Sequence, residues 1–374
     1  MKVIIIGGGA SGLFAAITAR EEGYDVTLLE KNKKIGEKLL LTGNGRANVS
    51  NESLSVEHFY GDKEFVNSVL CQFDLEDLKK HFLEMGLIIT SNNGYYYPNS
   101  FQAQSLVNVL RNYASKIGVK IKTDNEVKAI TKDEKFGVDC GYVYQADKVI
   151  IATGGCSYSS TGSTGDGYEW AKSLGHTIVE PTPALVPINC KTALTKASGV
   201  RANVAITYNN YTENGQLQIT NYGLSGIPIF NISRRVKSGD ELVIDFAPDY
   251  SFDDLYIYFS ELDKNGMNKI DILCSLLNTK LAAVIIDEYG DKNLKDLVYI
   301  IKNYKVSIKS KLDFDRAQVT AGGVLTSEVD SSTMQSKLIP GLYFAGEVLD
   351  IDGMCGGYNL HFAWATGHIA GQLK

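Results

Sequence analysis

The chain has 374 residues, enough for one large or two ordinary domains that each bury a core. Hydrophobic residues make up 44% and charged residues 21%, near globular averages, which excludes a disordered or fibrous chain. Lys and Arg number 37 against 43 Asp and Glu, and the net charge of −6 offers phosphate backbones and anionic lipids no broad attraction, so neither nucleic acid nor a membrane is the expected partner.

Apolar runs such as residues 3–6 and 281–286 fall far below the roughly 20 residues that span a bilayer. Residues 1–6 run straight into glycines without a small-residue cleavage site; they read as a first strand, and the protein is expected in the cytoplasm. The six cysteines show no CxxC spacing and are expected as reduced thiols, while the five histidines show no ligand spacing, so no zinc or iron site is expected.

In chain order, residues 2–6 are β-branched, residues 10–22 carry apolar positions at helical spacing and residues 25–30 form a second apolar run, a βαβ unit of the length a parallel crossover needs. Helices are predicted over 62–85 and 102–116, then strands over 119–122, 126–131, 136–144 and 147–152. From Pro181 to 246 the texture turns to strand-length pieces rich in Thr, Asn, Tyr and Val; residues 252–303 read as helical with polar joints at 264–266 and 290–293. A strand–turn rhythm resumes near Ala317, with a strand at 341–345 and a closing helix over 358–373, so the middle reads as an inserted domain.

Gly7, Gly9 and Gly12 supply G-x-G-x-x-G directly between the first strand and the first helix. Gly7 permits the tight turn, Gly9 lets a pyrophosphate approach the backbone at Ala10 and Ser11, and Gly12 allows close helix–strand packing over a helix N-terminus that favours anions. Glu30 follows at the end of the second strand, where a carboxylate accepts hydrogen bonds from a ribose diol. This motif alone does not separate FAD from NAD. The polar, glycine-rich tract of residues 36–48 favours FAD, because pyrophosphate, ribityl hydroxyls and flavin edge must all be met by polar groups along an extended loop.

GGGASGLFAA at 7–16, KLLLTGNGRANVSN at 38–51, ATGGCSYSSTGSTGDGYEWAKSLGH at 152–176, PALVPI at 183–188, NYGLSGIPIFNIS at 221–233 and GLYFAGEVLDIDGMCGGYNLHFAWATGHIAG at 341–371 carry a resemblance to the bacterial flavoproteins known as the aminoacetone oxidase, BaiN-like or YhiN-like family. Two residues depart from it, Ala47 where many relatives carry Cys and Ser159 where many carry Pro. The resemblance implies an α/β chain: a glutathione-reductase-type, Rossmann-like FAD-binding domain with an inserted β-rich domain and a small helical cap. It places the FAD-binding domain at 1–185 and 315–374, the β-rich domain at 186–250 and 304–314, and the cap at 251–303.

By the same resemblance, Gly7, Gly9, Ala10, Ser11 and Gly12 face the pyrophosphate, Glu30 and Lys31 the adenosine ribose, and Val127 the adenine. Lys38, Thr42, Gly43, Asn44, Arg46 and Asn48 run beside the pyrophosphate, ribityl chain and flavin. Thr153 and Gly154 bring the chain back past the cofactor, Gly346 and Glu347 supply a carboxylate for a ribityl hydroxyl, and Gly357, Tyr358 and Asn359 open the terminal helix toward the flavin N1 and O2. The catalytic group is not legible: Arg46, Tyr158, Tyr358, His361 and Arg201 are candidates, His361 equally as a packed ring. Cys355 reads as packed or redox active, and residues 94–98 as a β-turn with core tyrosines or a substrate wall.

The implied activity is that of an FAD-dependent oxidoreductase acting on a small organic substrate by hydride transfer through flavin N5, with NADH or NADPH as diffusible co-substrate or oxygen as acceptor. Family names point to amine or aminoketone oxidation, or to reduction of a steroid enone. The alternatives are a flavin-binding regulatory protein without turnover and an RNA-modifying flavoprotein, against which the charge of −6 counts.

Overall fold

The computed structural model describes residues 1–290 and 292–374, so the predicted joint at 290–293 includes one position, Asp291, outside the described residues. Strand β1 (Lys2–Ile6) is buried from Val3 onward, as expected of a β-branched run in a parallel sheet covered on both faces. Helix α1 (Ala10–Glu21) returns the chain to β2 (Asp25–Leu29), which pairs parallel with β1, Val3 opposite Val26 and Ile6 opposite Leu29. Strands Lys120–Lys122, Lys148–Ile151 and Leu342–Phe344 complete a five-stranded parallel sheet with β1 in the middle. The last strand is thus brought in from the far end of the chain.

Small residues lock the two ends together. An added Cβ at Gly367 would lie 2.5 Å from the Ser11 carbonyl oxygen and one at Gly371 2.7 Å from that of Ala15, so the terminal helix Tyr358–Gly371 presses its backbone on α1 through two glycines one turn apart. The predicted helix 62–85 is two helices, Lys63–Gln72 and Leu75–Glu84. Asp74 breaks it: its carboxylate accepts from the Glu76 and Asp77 N–H groups while the Asp77 side chain accepts from the Asp74 N–H. The predicted strand 136–144 is likewise two, Phe136–Asp139 and Val143–Ala146, of an antiparallel three-stranded layer. Tyr95–Pro98 pairs with Ile89–Asn92 in a hairpin closed by Asn93 and Gly94, both at positive φ, the conformation a two-residue turn requires.

Contacts divide the chain into two compact units, 1–183 with 318–374, and 184–317. The second contains a closed barrel of six strands, in the order Ile188–Lys191, Gly223–Ser225, Tyr211–Ile219, Arg201–Tyr208, Glu241–Asp245 and Tyr304–Lys311. Helices Phe252–Lys264, Lys269–Cys274, Thr279–Tyr289 and Leu294–Lys302 belong to the same unit, and Leu255, Phe259 and Ile285 share one core with the barrel residues Val204, Ile206 and Leu242. Among the described residues no helix is long and apolar enough to cross a membrane, and all six cysteines are free.

Candidate functional site

A cleft of about 1220 Å³, its open mouth included, lies at the carboxyl ends of β1, β2 and Lys148–Ile151, where open α/β sheets bind ligands. The three motif glycines border it for different reasons. Gly7 has φ 108°, and an added Cβ would lie 2.4 Å from the Ala152 carbonyl oxygen; at Gly12 it would lie 1.9 Å from the Gly7 carbonyl oxygen. At Gly9 an added Cβ would meet nothing within 4 Å. Gly7 and Gly12 are therefore required by the fold, whereas Gly9 keeps the cleft open. No side chain caps α1, and Ala10 and Ser11 present its first turn to the cleft.

Glu30 is only 9% exposed at the end of β2. Its carboxylate accepts from the Gly8 and Asn32 N–H groups, both at 2.8 Å, one to each oxygen, which leaves an acceptor position on each for a ligand hydroxyl. Burial pushes its pKa above the usual carboxylate value, opposed by these two bonds and by Lys31. Lys31 stands at the rim, its ammonium 2.6 Å from Asp166 Oδ2 and 2.6 Å from Thr164 Oγ1, and Val127 lines the same end.

In the middle of the cleft Glu347 is clamped. Its Oε2 lies 2.6 Å from Lys38 Nζ, and its Oε1 accepts from the Thr320 N–H at 2.7 Å and the Ser157 hydroxyl at 3.0 Å. Lys38 also donates to Ser157 Oγ at 2.7 Å, and Thr320 Oγ1 accepts the Cys156 N–H at 2.8 Å. Lys38 and Glu347, expected from the family resemblance, line the cleft, while Ser157, Thr320 and the lining residue Gln318 were not expected; a lone Ser, Thr or Gln carries no spacing that marks it. Thr153 and Gly154 line the cleft beside this clamp, and Gly346 lies behind it, its missing Cβ leaving room for Ser11 Oγ at 2.5 Å.

At the far end Thr42 and Asn359 line the cleft. Gly43, Asn44 and Arg46 are exposed, with Gly43, Asn44 and Ala47 all left-handed (φ 56°, 55° and 57°). Asn48 Oδ1 is buried without a hydrogen-bond partner. It sits 2.7 Å from where Gly357 would carry a Cβ, and the Ser50 carbonyl oxygen sits 2.5 Å from the same point, so only glycine at φ 95° passes there. The Asn359 amide is turned onto the backbone, accepting from the Gly353 N–H at 2.8 Å and donating to the Gly353 carbonyl at 2.7 Å. Tyr358 stacks on His58 at 4.4 Å between centroids, its phenol pushed up to about 12 by burial. His361 is fully buried between Ser50 Oγ at 2.9 Å and the Phe73 carbonyl at 3.1 Å, and burial lowers its pKa to about 4, the environment of a packed ring.

The family model described as the HI0933-like protein Rossmann domain matches residues 1–373. A 3-dehydro-bile acid delta(4,6)-reductase of Clostridium scindens is 38% identical, over 99% of this chain and 98% of its own length. A ribosomal RNA dihydrouridine synthase of Haemophilus influenzae is 31% identical, over 98% of this chain and 96% of its own length. Among solved structures, the 3-ketosteroid-delta4-(5alpha)-dehydrogenase of Rhodococcus jostii RHA1 matches with a TM-score of 0.51 over 100% of this chain and 96% of that one; at 16% identity the likeness is one of fold. The chain therefore belongs to the HI0933-like Rossmann family and is an FAD-dependent oxidoreductase.

Proposed function

We propose that this protein saturates a carbon–carbon double bond conjugated to a carbonyl in a small organic molecule, one carbon taking a hydride from flavin N5 and the other a proton drawn from solvent, with NADH or NADPH as the diffusible reductant. The observation that carries this reading is shared chemistry between the two relatives: a delta(4,6)-reductase of a 3-dehydro steroid and a dihydrouridine synthase, by their names, both remove such a double bond. The higher identity to the bile-acid enzyme and the charge of −6 favour a small substrate over RNA.

The residues present fit FAD. Gly9 leaves open the space a side chain would fill, α1 has no side-chain cap, Glu30 keeps acceptor capacity, and Asn48 holds an unpaired buried oxygen. In this reading residues 1–185 with 315–374 form the domain that holds it. Bound there, FAD supplies two-electron chemistry, exchanging a hydride with an electron-poor carbon. The chain's own groups bind and orient: the α1 N-terminus attracts the pyrophosphate, Glu30 accepts the ribose hydroxyls, and the Lys38–Glu347 clamp meets the ribityl chain.

Anaerobic stopped-flow mixing tests this. The purified protein should be yellow, bleach on mixing with NADH or NADPH, and regain its colour on adding a 3-keto-4-ene steroid but not an unmodified ribosomal RNA transcript. Recovery with RNA alone would move the substrate to RNA; no bleaching with either nicotinamide would leave a flavin-binding protein without this turnover.

A further inference from the structure

The hairpin that closes at Asn93 and Gly94 has two faces. Tyr96 points one way, its ring 4.8 Å from Lys79 Nζ. Tyr95 and Tyr97, one strand period on either side, share the other face. Tyr97 packs against the turn that follows Thr42: an added Cβ at Gly43 would lie 3.7 Å from Tyr97 Cε1. Tyr95 packs against the glycines that open the terminal helix, with 3.3 Å between its Cε1 and an added Cβ at Gly356. Asn51, opposite Tyr95 on the neighbouring strand Ser50–Asn51, holds the same glycines by donating from its amide to the Gly356 carbonyl at 2.9 Å. Phe101, 37% exposed, extends the strip, its ring centroid 5.6 Å from that of Tyr97.

An aromatic strip thus adjoins the end of the cleft where Thr42 and Asn359 stand. Two polar groups beside it are unspent, for Arg46 lies on the turn that Tyr97 covers, its backbone N–H donating to the Gly43 carbonyl at 3.2 Å. The Tyr97 hydroxyl and the Arg46 guanidinium make no hydrogen bond or ion pair among the described residues, although the field of Arg46 reaches the Tyr97 phenol. Burial raises the pKa of that phenol and neighbouring Tyr95 adds to the rise, while Arg46 pulls it down. At neutral pH the hydroxyl is a donor, and the guanidinium is a donor at any pH. A planar apolar body with one polar acceptor at its edge matches this surface: rings cover rings, and the carbonyl oxygen meets the two donors.

We propose that Tyr95, Tyr97, Phe101 and Arg46 form the substrate wall, taking a planar molecule that carries a conjugated carbonyl, with the Tyr97 hydroxyl and Arg46 guanidinium donating to that oxygen. The proposal rests on the reading of the previous subsection and gives it a carbonyl-binding pair. A steroid enone fits the apolar strip, a uracil base shares with it only the flat shape and the conjugated carbonyl, and the assay takes both as probes.

Calorimetric titration of the FAD-loaded protein with 4-androstene-3,17-dione and with uridine 5′-monophosphate reads binding without turnover. For whichever probe binds the wild type, Tyr97→Phe and Arg46→Met should each raise Kd about tenfold, the loss of one desolvated or charge-assisted hydrogen bond. Tyr96→Phe, on the opposite face, should leave Kd unchanged, and flavin absorbance should show full FAD content in every variant. Three results overturn the wall: neither probe binds, Kd is unchanged in both Tyr97→Phe and Arg46→Met, or FAD is lost in step with the probe. Failure of the catalytic reading looks different, as a probe that binds with the expected mutational pattern yet does not reoxidise the reduced protein.

Discussion

The two ends of the cleft are built on different principles. At the nucleotide end, around Gly7 to Gly12 and Glu30, the backbone dictates nearly everything: glycines fit where a Cβ would lie 1.9–2.4 Å from a carbonyl oxygen, and the acid is buried against two N–H groups. At the other end Gly43 and Asn44 form an exposed left-handed turn, the buried Asn48 Oδ1 has no hydrogen-bond partner, and the Tyr97 hydroxyl and Arg46 guanidinium make no hydrogen bond among the described residues. An end whose free N–H groups and remaining carboxylate acceptors are fixed by the backbone suits a ligand that never changes, and an end with the Tyr97 and Arg46 donors unspent suits one that comes and goes. The contrast can be broken at single residues.

The largest effect is expected at Gly12. Gly12→Ala forces a methyl to 1.9 Å from the Gly7 carbonyl oxygen, so the β1–α1 turn must shift, at a cost of about 3 kcal/mol typical of overpacking. Thermal denaturation should show a fall of several degrees together with loss of FAD. Gly9→Ala, at φ −82° with open space around it, should keep the melting temperature of the apoprotein and lose FAD alone. If both variants fail in the same way, motif glycines do not divide into fold and ligand roles.

The terminal helix couples the stability of the fold to pH. His361 titrates at about 4 in the folded chain against an ordinary value near 6.5, so its neutral form is favoured on folding. A depressed pKa gives stability that is complete above pH 6.5 and lost as the pH falls toward 4, about 3 kcal/mol from this ring. His368, also lowered to about 4 by burial, acts in the same direction. Denaturant melts at pH 7.5, 5.5 and 4.5 should show this decline, and His361→Gln should flatten it while lowering stability at pH 7.5. A slope unchanged by the substitution would place the lost protons elsewhere.

The sequence spoke where chemistry leaves one residue type possible. Gly7 and Gly12 were legible because a tight turn and a helix–strand crossing each demand glycine at a fixed spacing, Glu30 was expected from the spacing of a ribose-binding acid, and the family resemblance added Lys38, Glu347 and Gly357 as expectations. Ser157 and Thr320 escaped because any hydroxyl in reach of Glu347 serves, and nothing in a strand such as Val319–Val324 marks one threonine among its neighbours. The two readings of residues 94–98, core tyrosines or substrate wall, stayed open in the sequence for another reason. Three consecutive tyrosines do not reveal which two share a face until pairing with Ile89–Asn92 and Ser50–Asn51 sets the register. The predicted helix 62–85 hid its break because Asp74 is as common inside an exposed helix face as at a cap; only the reciprocal bond with Asp77 distinguishes them.

The smallest effect is expected at Glu30, and it separates fold from ligand at one atom. Glu30→Gln keeps the shape and can still accept through its amide oxygen, so one of the two N–H bonds from Gly8 and Asn32 survives. Its amide nitrogen, a donor, faces the other N–H group, while the cost of burying a charge disappears, so the melting temperature of the apoprotein should change little. The ribose loses a charged acceptor and keeps a neutral one, a difference of about 1.4 kcal/mol, or tenfold in the dissociation constant of FAD, measurable by fluorescence titration of the apoprotein. Because burial raises the Glu30 pKa, wild-type affinity should fall as the pH drops toward the raised value and the carboxylate protonates, whereas Glu30→Gln should show no such decline. Equal pH profiles in the two proteins would mean that the ribose does not read the charge of Glu30, leaving the carboxylate only its hold on the Gly8 and Asn32 backbone.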